Sequence, residues 1–322
     1  MRPILYLTMV MTAVLILNLQ SRQNEPAPVK ATEVQTPTIE ETVEITAMRF
    51  HAGQLYTGDH SGRIRVLSMP EGHSVGDWYG HPTAVRQILF ADDKLVTIGR
   101  NGSVATWRKN NELQKRRRLV GHHLNDAVSL GDGGFIVAGD RGVVARIGFG
   151  PRWRVNGIHG RAAFGLALSP DREQLVSVGA DGMARIWSVA DGTIEHEWKA
   201  HDGWVSSVTW HKTGIWTAGT DGYIVHWAPT TRRVLKRQKT AHKEVTRLLM
   251  SDEYIVTTGS DFKVAIYSQK DVAEPQLIDL VDRPFVSLSL NGKDLWVGHK
   301  GGGISTWDVT NGRESATFPT KF

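Results

Sequence analysis

The chain has 322 residues, no cysteine and a net charge of +5, with a pI near 9.4. Without thiols it can hold no disulfide framework, no lipidated-cysteine anchor, no haem attached through Cys-x-x-Cys-His and no thiolate metal site. The length would fit two average domains, but a repeat running from about residue 45 to 318 argues for one large closed domain.

At the N-terminus, Met1-Arg2-Pro3 leads into an apolar run from Ile4 to Leu19, broken only by Thr8, Thr12 and Asn18. At 16 residues it reaches the upper edge of a signal-peptide core and falls short of the roughly 20 that span a bilayer as a helix. The stretch Asn18-Leu19-Gln20-Ser21-Arg22 offers no convincing small-residue pair for cleavage. Residues 1–20 are therefore read as a hydrophobic helix acting as a signal anchor, with a cleaved signal peptide as the alternative. Arg2 and the amino terminus, weighed against Arg22, place the rest of the chain across the membrane. Residues 21–44, with Pro26, Pro28 and Pro37 among Glu, Thr, Gln and Ala, lack the periodicity that builds a core. They read as a flexible linker reaching up to about 80 Å.

Residues 45–318 carry three columns that return every 40 residues. The first is Leu55, Leu95, Phe135, Leu175, Ile215, Ile255 and Leu295; the second is Gly62, Gly102, Gly142, Gly182, Gly222, Phe262 and Gly302; the third is Leu67, Trp107, Ile147, Trp187, Trp227, Tyr267 and Trp307. That period is what a four-stranded propeller blade needs. The fourth repeat shows the strands most clearly. Residues 163–168, 174–178, 183–187 and 193–198 read as strands separated by turns at Ser169-Pro170-Asp171-Arg172, Asp181-Gly182 and Ala190-Asp191-Gly192. The glycine column falls in the turn between second and third strands, so Phe262 predicts a different turn in the sixth blade. Arg313 to Phe318 supplies an outer strand to the seventh repeat, giving seven complete blades in order. Glu40 to Ile45 could pair beside the last, which leaves the mode of ring closure open.

A polar set keeps the same spacing: His81, Thr97, Asn101 and Trp107; His159, Ser177, Asp181 and Trp187; His201, Thr217, Asp221 and Trp227; His242, Thr257, Asp261 and Tyr267. With the Gly80-His81 and Gly121-His122 pairs and Trp307-Asp308, this resembles the WD40 repeat family over 274 of 322 residues. The resemblance implies an all-β, seven-bladed propeller whose tetrads link His, Ser or Thr, Asp and Trp in hydrogen-bonded networks. Such networks rigidify when complete and cost stability when partial. In the third repeat the hydroxyl, Asp and Trp positions are Val137, Arg141 and Ile147, and the seventh has Val297 and Gly301, so the first, third and seventh blades are expected to keep the spacing and lose the chemistry. Ser177, His159 and Asp181 also spell a hydrolase triad. Recurrence of the set in several blades favours the structural reading, because a nucleophilic site occurs once.

Partner binding is expected on the face that carries the loops from outer to next inner strand and from second to third strand. The candidates are Trp204 and Phe164, at equivalent positions 40 residues apart, with Arg161, Asp202, Arg100 and Phe285, and with Leu124 nearby. Exposed aromatics beside charges are the composition of binding hot spots. Basic clusters at Lys115 to Arg118, at Arg152 and Arg154, and at Arg232, Arg233, Lys236, Arg237 and Lys239 fall on outer strands or the turns leading into them. There they deter edge-to-edge pairing, the alternative being an anionic partner such as lipid headgroups. His123, Asn125 and Asp126, read as one loop, are too weak a cluster to claim a metal. Asn101-Gly102-Ser103 is a glycosylation acceptor set in a tight turn, where modification is not expected. No cofactor, metal or nucleic-acid partner is expected. The sequence reads as a non-catalytic scaffold docking a protein partner, exported to the periplasmic side of a bacterial inner membrane and possessing the character of an accessory to an envelope or redox enzyme complex. The alternative is a small-ligand or catalytic propeller using the central channel.

Overall fold

A computed structural model describes residues 43–318 apart from 92, 93, 110, 120, 121, 149, 271 and 273. The hydrophobic helix expected over 1–20 and all but the last two residues of the linker expected over 21–44 lie outside the described residues, among which no helix is long and apolar enough to cross a membrane.

Seven four-stranded antiparallel sheets follow one another, each built from four consecutive strands: blade 1 from Ile45 to Tyr79, blade 2 from Val85 to Arg118, blade 3 from Leu124 to Val155, blade 4 from Ala163 to Lys199, blade 5 from Val205 to Lys239, blade 6 from Val245 to Asp279 and blade 7 from Phe285 to Phe318. Within a blade we call them a (innermost) to d (outermost). In blade 4 these are Ala163–Leu168, Gln174–Gly179, Met183–Ser188 and Ile194–Lys199. Each sheet buries both faces, so strand b reads as a nearly continuous apolar run. The buried apolar residues fall into seven clusters, one between each pair of adjacent blades.

The sequence columns acquire a direction here. Leu175 and Trp187 are cross-strand partners in blade 4, and both pack on blade 3; Ile215 and Trp227 of blade 5 likewise pack on blade 4. Alternation then sends the neighbouring residues, Val176 and Trp216, to the following blade. Outer-strand tryptophans reinforce the joints. Trp153 of blade 3 stacks on Trp187, while Trp78 of blade 1 and Trp198 of blade 4 meet Trp107 and Trp227 of the next blades edge-on.

The ring closes without a borrowed strand. Blade 1 is Ile45–His51, Gln54–Asp59, Arg63–Ser68 and His73–Tyr79, and blade 7 holds its own four strands. They are joined by side chains: Ile45, Met48, Leu55 and Leu67 pack with Trp296 and Ile304, Phe50 stacks on Trp296 at 5.6 Å, and Ser287 Oγ donates to the Ile45 carbonyl at 2.7 Å.

Strand a of every blade carries one β-bulge, at Thr46, Arg86, Asn125, Phe164, Ser206, Thr246 and Val286. Four of these side chains reach the backbone of the next blade: Thr46 to Val85 O (2.7 Å), Arg86 to Asn125 O (3.1 Å), Asn125 to Ala163 O (3.0 Å) and Ser206 to Val245 O (2.6 Å). The bulges thus form part of a belt around the central channel.

Two expectations are corrected. Phe262 does not change the turn of blade 6; it takes φ +54°, beside +74° for Gly182 and +78° for Gly222. The turn is held by the preceding carboxylate, since Asp261 Oδ1 accepts from Lys263 N at 3.2 Å as Asp221 Oδ1 does from Tyr223 N at 3.1 Å. Phe164 and Trp204 are not equivalent. In blade 4 Leu168 pairs with Leu175, whereas in blade 5 Trp210 pairs with Ile215, so the first hairpin of blade 4 is two residues longer. Phe164 therefore corresponds to Ser206, while Trp204 lies just before its strand.

Candidate functional site: the loop face

The polar sets stand under the loop face, in the joints between blades. In blade 5, Trp227 Nε1 donates to Thr217 Oγ1 (2.9 Å), Thr217 lies 2.8 Å from His201 Nε2, and His201 Nδ1 meets Asp221 Oδ1 at 2.9 Å. One proton arrangement satisfies all of it: indole to hydroxyl, hydroxyl to Nε2, Nδ1–H to carboxylate. Blade 4 repeats the chain through Trp187, Ser177, His159 and Asp181 at 2.7, 2.7 and 3.0 Å, and adds Arg185 on Asp181 at 2.6 Å. Burial alone would raise the Asp181 carboxyl, but the hydrogen bonds from His159 and Arg185 outweigh it and hold the group well below the usual range. In blade 6, His242 lies 3.0 Å from Asp261 and 3.2 Å from Thr257, and Tyr267 hydroxyl takes the Ala241 N–H at 3.3 Å. His159 and Ser177 are 0% exposed, so no substrate reaches the would-be nucleophile.

Blade 2 departs from the expected pattern. His81 Nδ1 meets Ser103 Oγ at 2.7 Å, and Ser103 in turn donates to Asn101 Oδ1 at 2.7 Å, so Asn101 acts through a hydroxyl relay. His81 Nε2 and Trp107 Nε1 share Thr97 Oγ1.

The expectation that blade 7 loses the chemistry is also corrected. In blade 7 the hydroxyl has crossed to the neighbouring strand: Val297 pairs with Ser305, and Ser305 Oγ receives Trp307 Nε1 at 2.9 Å and meets His299 Nε2 at 2.8 Å. Blade 1 uses Asp59, which caps the Ser61 and Arg63 amides and lies 3.6 Å from the buried Arg65. Blade 3 places His122 between Arg154 and the Asp140 carbonyl. Reading strand c for a compensating hydroxyl would have found Ser305.

Part of the basic clustering has an inward use. Arg118, Lys199 and Lys239, each near the end of an outer strand, donate to the carbonyls of Asn101, Asp181 and Asp221 at 3.2, 3.3 and 2.7 Å. They brace the turns that carry Asn101, Asp181 and Asp221.

On the loop face Trp204 is 51% exposed. Its amide donates to Thr220 Oγ1 and its carbonyl accepts from Thr220 N, both at 2.9 Å, and its ring rests on Phe164 at 5.6 Å. Phe164 is the bulge residue of blade 4, and in place of a hydrogen bond to blade 5 it makes this aromatic contact. Arg161 and Asp202 are exposed beside the pair, with Asp202 at 3.9 Å from Arg237. Arg100 is exposed on blade 2, and half-buried Phe285 begins strand a of blade 7. Leu124 is no surface residue; it is 1% exposed in strand a of blade 3. Asn125 and Asp126 share that strand rather than a loop, bonded to Ala163 O and to Gln87. Phe262 is a loop-face residue that the sequence reading missed. It is 38% exposed and meets Phe285 edge-on at 6.1 Å. A phenylalanine standing in the glycine column was the available signal.

The blades and turns form a seven-bladed β-propeller, and two of its blades match the WD40 repeat. The "WD domain, G-beta repeat" family matches residues 157–188 and 192–228, in blades 4 and 5. Telomerase protein component 1 of Rattus norvegicus is 27% identical over 255 residues, 73% of this chain and 9% of that protein. Apoptotic protease-activating factor 1 of the same organism is 28% identical over 187 residues, 55% of this chain and 15% of that protein. The chain thus corresponds to a small part of each relative.

Proposed function

We propose that the protein is a non-catalytic scaffold that docks a protein partner on its loop face, centred on Trp204. The observation that carries this is an indole half exposed to solvent yet fixed at both backbone groups and seated on Phe164. A large side chain ordered before association binds without the usual entropy cost, which is what a hot spot requires. Phe262 and Phe285 give the same face a second aromatic pair. The telomerase relative is by name a component of an assembly, in keeping with docking.

The apolar run from Ile4 to Leu19 supports a further proposal, that the propeller is exported and held on the periplasmic side of a bacterial inner membrane as an accessory to an envelope or redox enzyme complex. Protein purified from membranes should then retain Met1-Arg2-Pro3 or a terminus close to it.

A Trp204→Ala, Phe164→Ala double variant is expected to lose about 10- to 100-fold in partner affinity while its melting temperature stays within a few degrees of the parent. Co-purification followed by titration of the captured partner checks both halves. Persistent binding with a melting point several degrees lower would show that the two aromatics only join blades 4 and 5.

A further inference from the structure

The central channel carries more positive charge than the protein around it neutralises. Arg49 in strand a of blade 1, Arg86 at the bulge of blade 2 and Arg247 in strand a of blade 6 all line one cavity of about 300 Å³. Arg86 and Arg247 also line a second, of about 230 Å³, with Asp126, Phe164 and Thr246. Among the described residues the one carboxylate lining either cavity is Asp126, and it is already engaged. Its oxygens accept from Gln87 Nε2 at 2.8 Å, Ala127 N at 2.9 Å and Leu166 N at 2.8 Å.

The guanidiniums are poorly matched by comparison. Arg86 donates from Nε to the Asn125 carbonyl at 3.1 Å. The guanidiniums of Arg49 and Arg247 make no hydrogen bond or ion pair with any described residue; Arg49 is exposed to the channel and Arg247 is half-buried. Enclosure lowers the pKa of all three, and that of Arg86 to about 10, where the charge of Arg247 adds to the effect of burial. Three cations around one confined volume repel one another, and the single carboxylate of Asp126, which acts on Arg86 and Arg247, offsets that only in part. A planar fork of N–H donors is the group best suited to repay that cost by binding an oxyanion bidentately.

We propose that the central channel is a binding site for a compact phosphate-class oxyanion, held between Arg49, Arg86 and Arg247. The site lies beneath the loop face and goes beyond partner docking, which uses Trp204 outside the cavity. Lining hydroxyls at Ser289 and Thr209 supply further hydrogen-bonding capacity.

The test is calorimetric titration of the full chain with inorganic phosphate and with pyrophosphate at constant ionic strength, alongside melting curves. Saturable binding at one site is expected, with a raised melting temperature. Arg49→Gln and Arg247→Gln should each weaken it about 10- to 100-fold, the loss of one charge-assisted contact. Arg247→Lys, which keeps the charge and loses the fork, should fall between. Arg233→Gln, just before the outer strand of blade 5, and Trp204→Ala on the loop face should leave affinity unchanged, which separates this proposal from the docking reading. Without anion, Arg247→Gln should melt no lower than the parent, because it relieves repulsion. Absence of saturable binding, or equal loss in Arg233→Gln, would overturn the proposal. So would an Arg247→Gln variant that melts several degrees lower and binds pyrophosphate as the parent does.

Discussion

Trp187→Ala is expected to destabilise the propeller by about 3–5 kcal/mol, the usual cost of truncating a buried tryptophan. Trp187 is 0% exposed, stacks on Trp153 of blade 3 at 6.0 Å and donates to Ser177 Oγ at 2.7 Å. The substitution therefore opens a cavity at the joint of blades 3 and 4 and removes the first donor of the blade 4 network. Asp221→Ala acts at the other end of the equivalent chain in blade 5. It leaves the His201 Nδ1–H without its acceptor but opens little space, so about 1–3 kcal/mol is expected. Denaturant midpoints of the two variants check the order. A Trp187→Ala variant no less stable than Asp221→Ala would mean that packing at this joint contributes little.

Acidification from pH 7 to pH 4 is expected to remove roughly 3 kcal/mol of stability through His81 alone. Its imidazole is 4% exposed, and burial, aided by the nearby Arg116, lowers its pKa from 6.5 to about 4. Between those values the unfolded chain binds a proton at this position that the folded one refuses. The stability is thus fully present above pH 6.5 and is lost as pH falls towards 4, over about 2.5 pH units at about 1.4 kcal/mol each. His159, also lowered by burial, adds to the trend with the same sign. Unfolding free energies at pH 7, 5.5 and 4 should show the slope, and His81→Asn should flatten it. An unchanged slope in that variant would remove His81 from the account.

Architecture was legible in the sequence because every blade repeats the same backbone problem. The first and third columns face the preceding blade and meet across strands b and c, so their spacing tolerates little change. Turn chemistry was legible only in part. Phe262 looked like a break because glycine is the common answer to positive φ, yet Asp261 fixes the turn through the Lys263 amide and leaves the phenyl group exposed. Chemistry that moves between strands was missed for the same reason: Ser305 replaces a hydroxyl expected at Val297, its cross-strand neighbour. Equal numbering misled at Phe164 and Trp204, since the longer hairpin of blade 4 shifts its inner strand by two residues. The channel arginines carry no local motif at all. Arg49, Arg86 and Arg247 converge only once the ring has closed and the bulges have set the register of strand a.

The docking claim is tested most directly by placing a photo-crosslinking residue on the propeller in the cell, with Trp204→p-benzoylphenylalanine compared against Leu235→p-benzoylphenylalanine on the exposed outer strand of blade 5. The account predicts a discrete partner adduct from position 204 and none from 235. An adduct from 235 with none from 204 would contradict it and move the interaction to the outer edge.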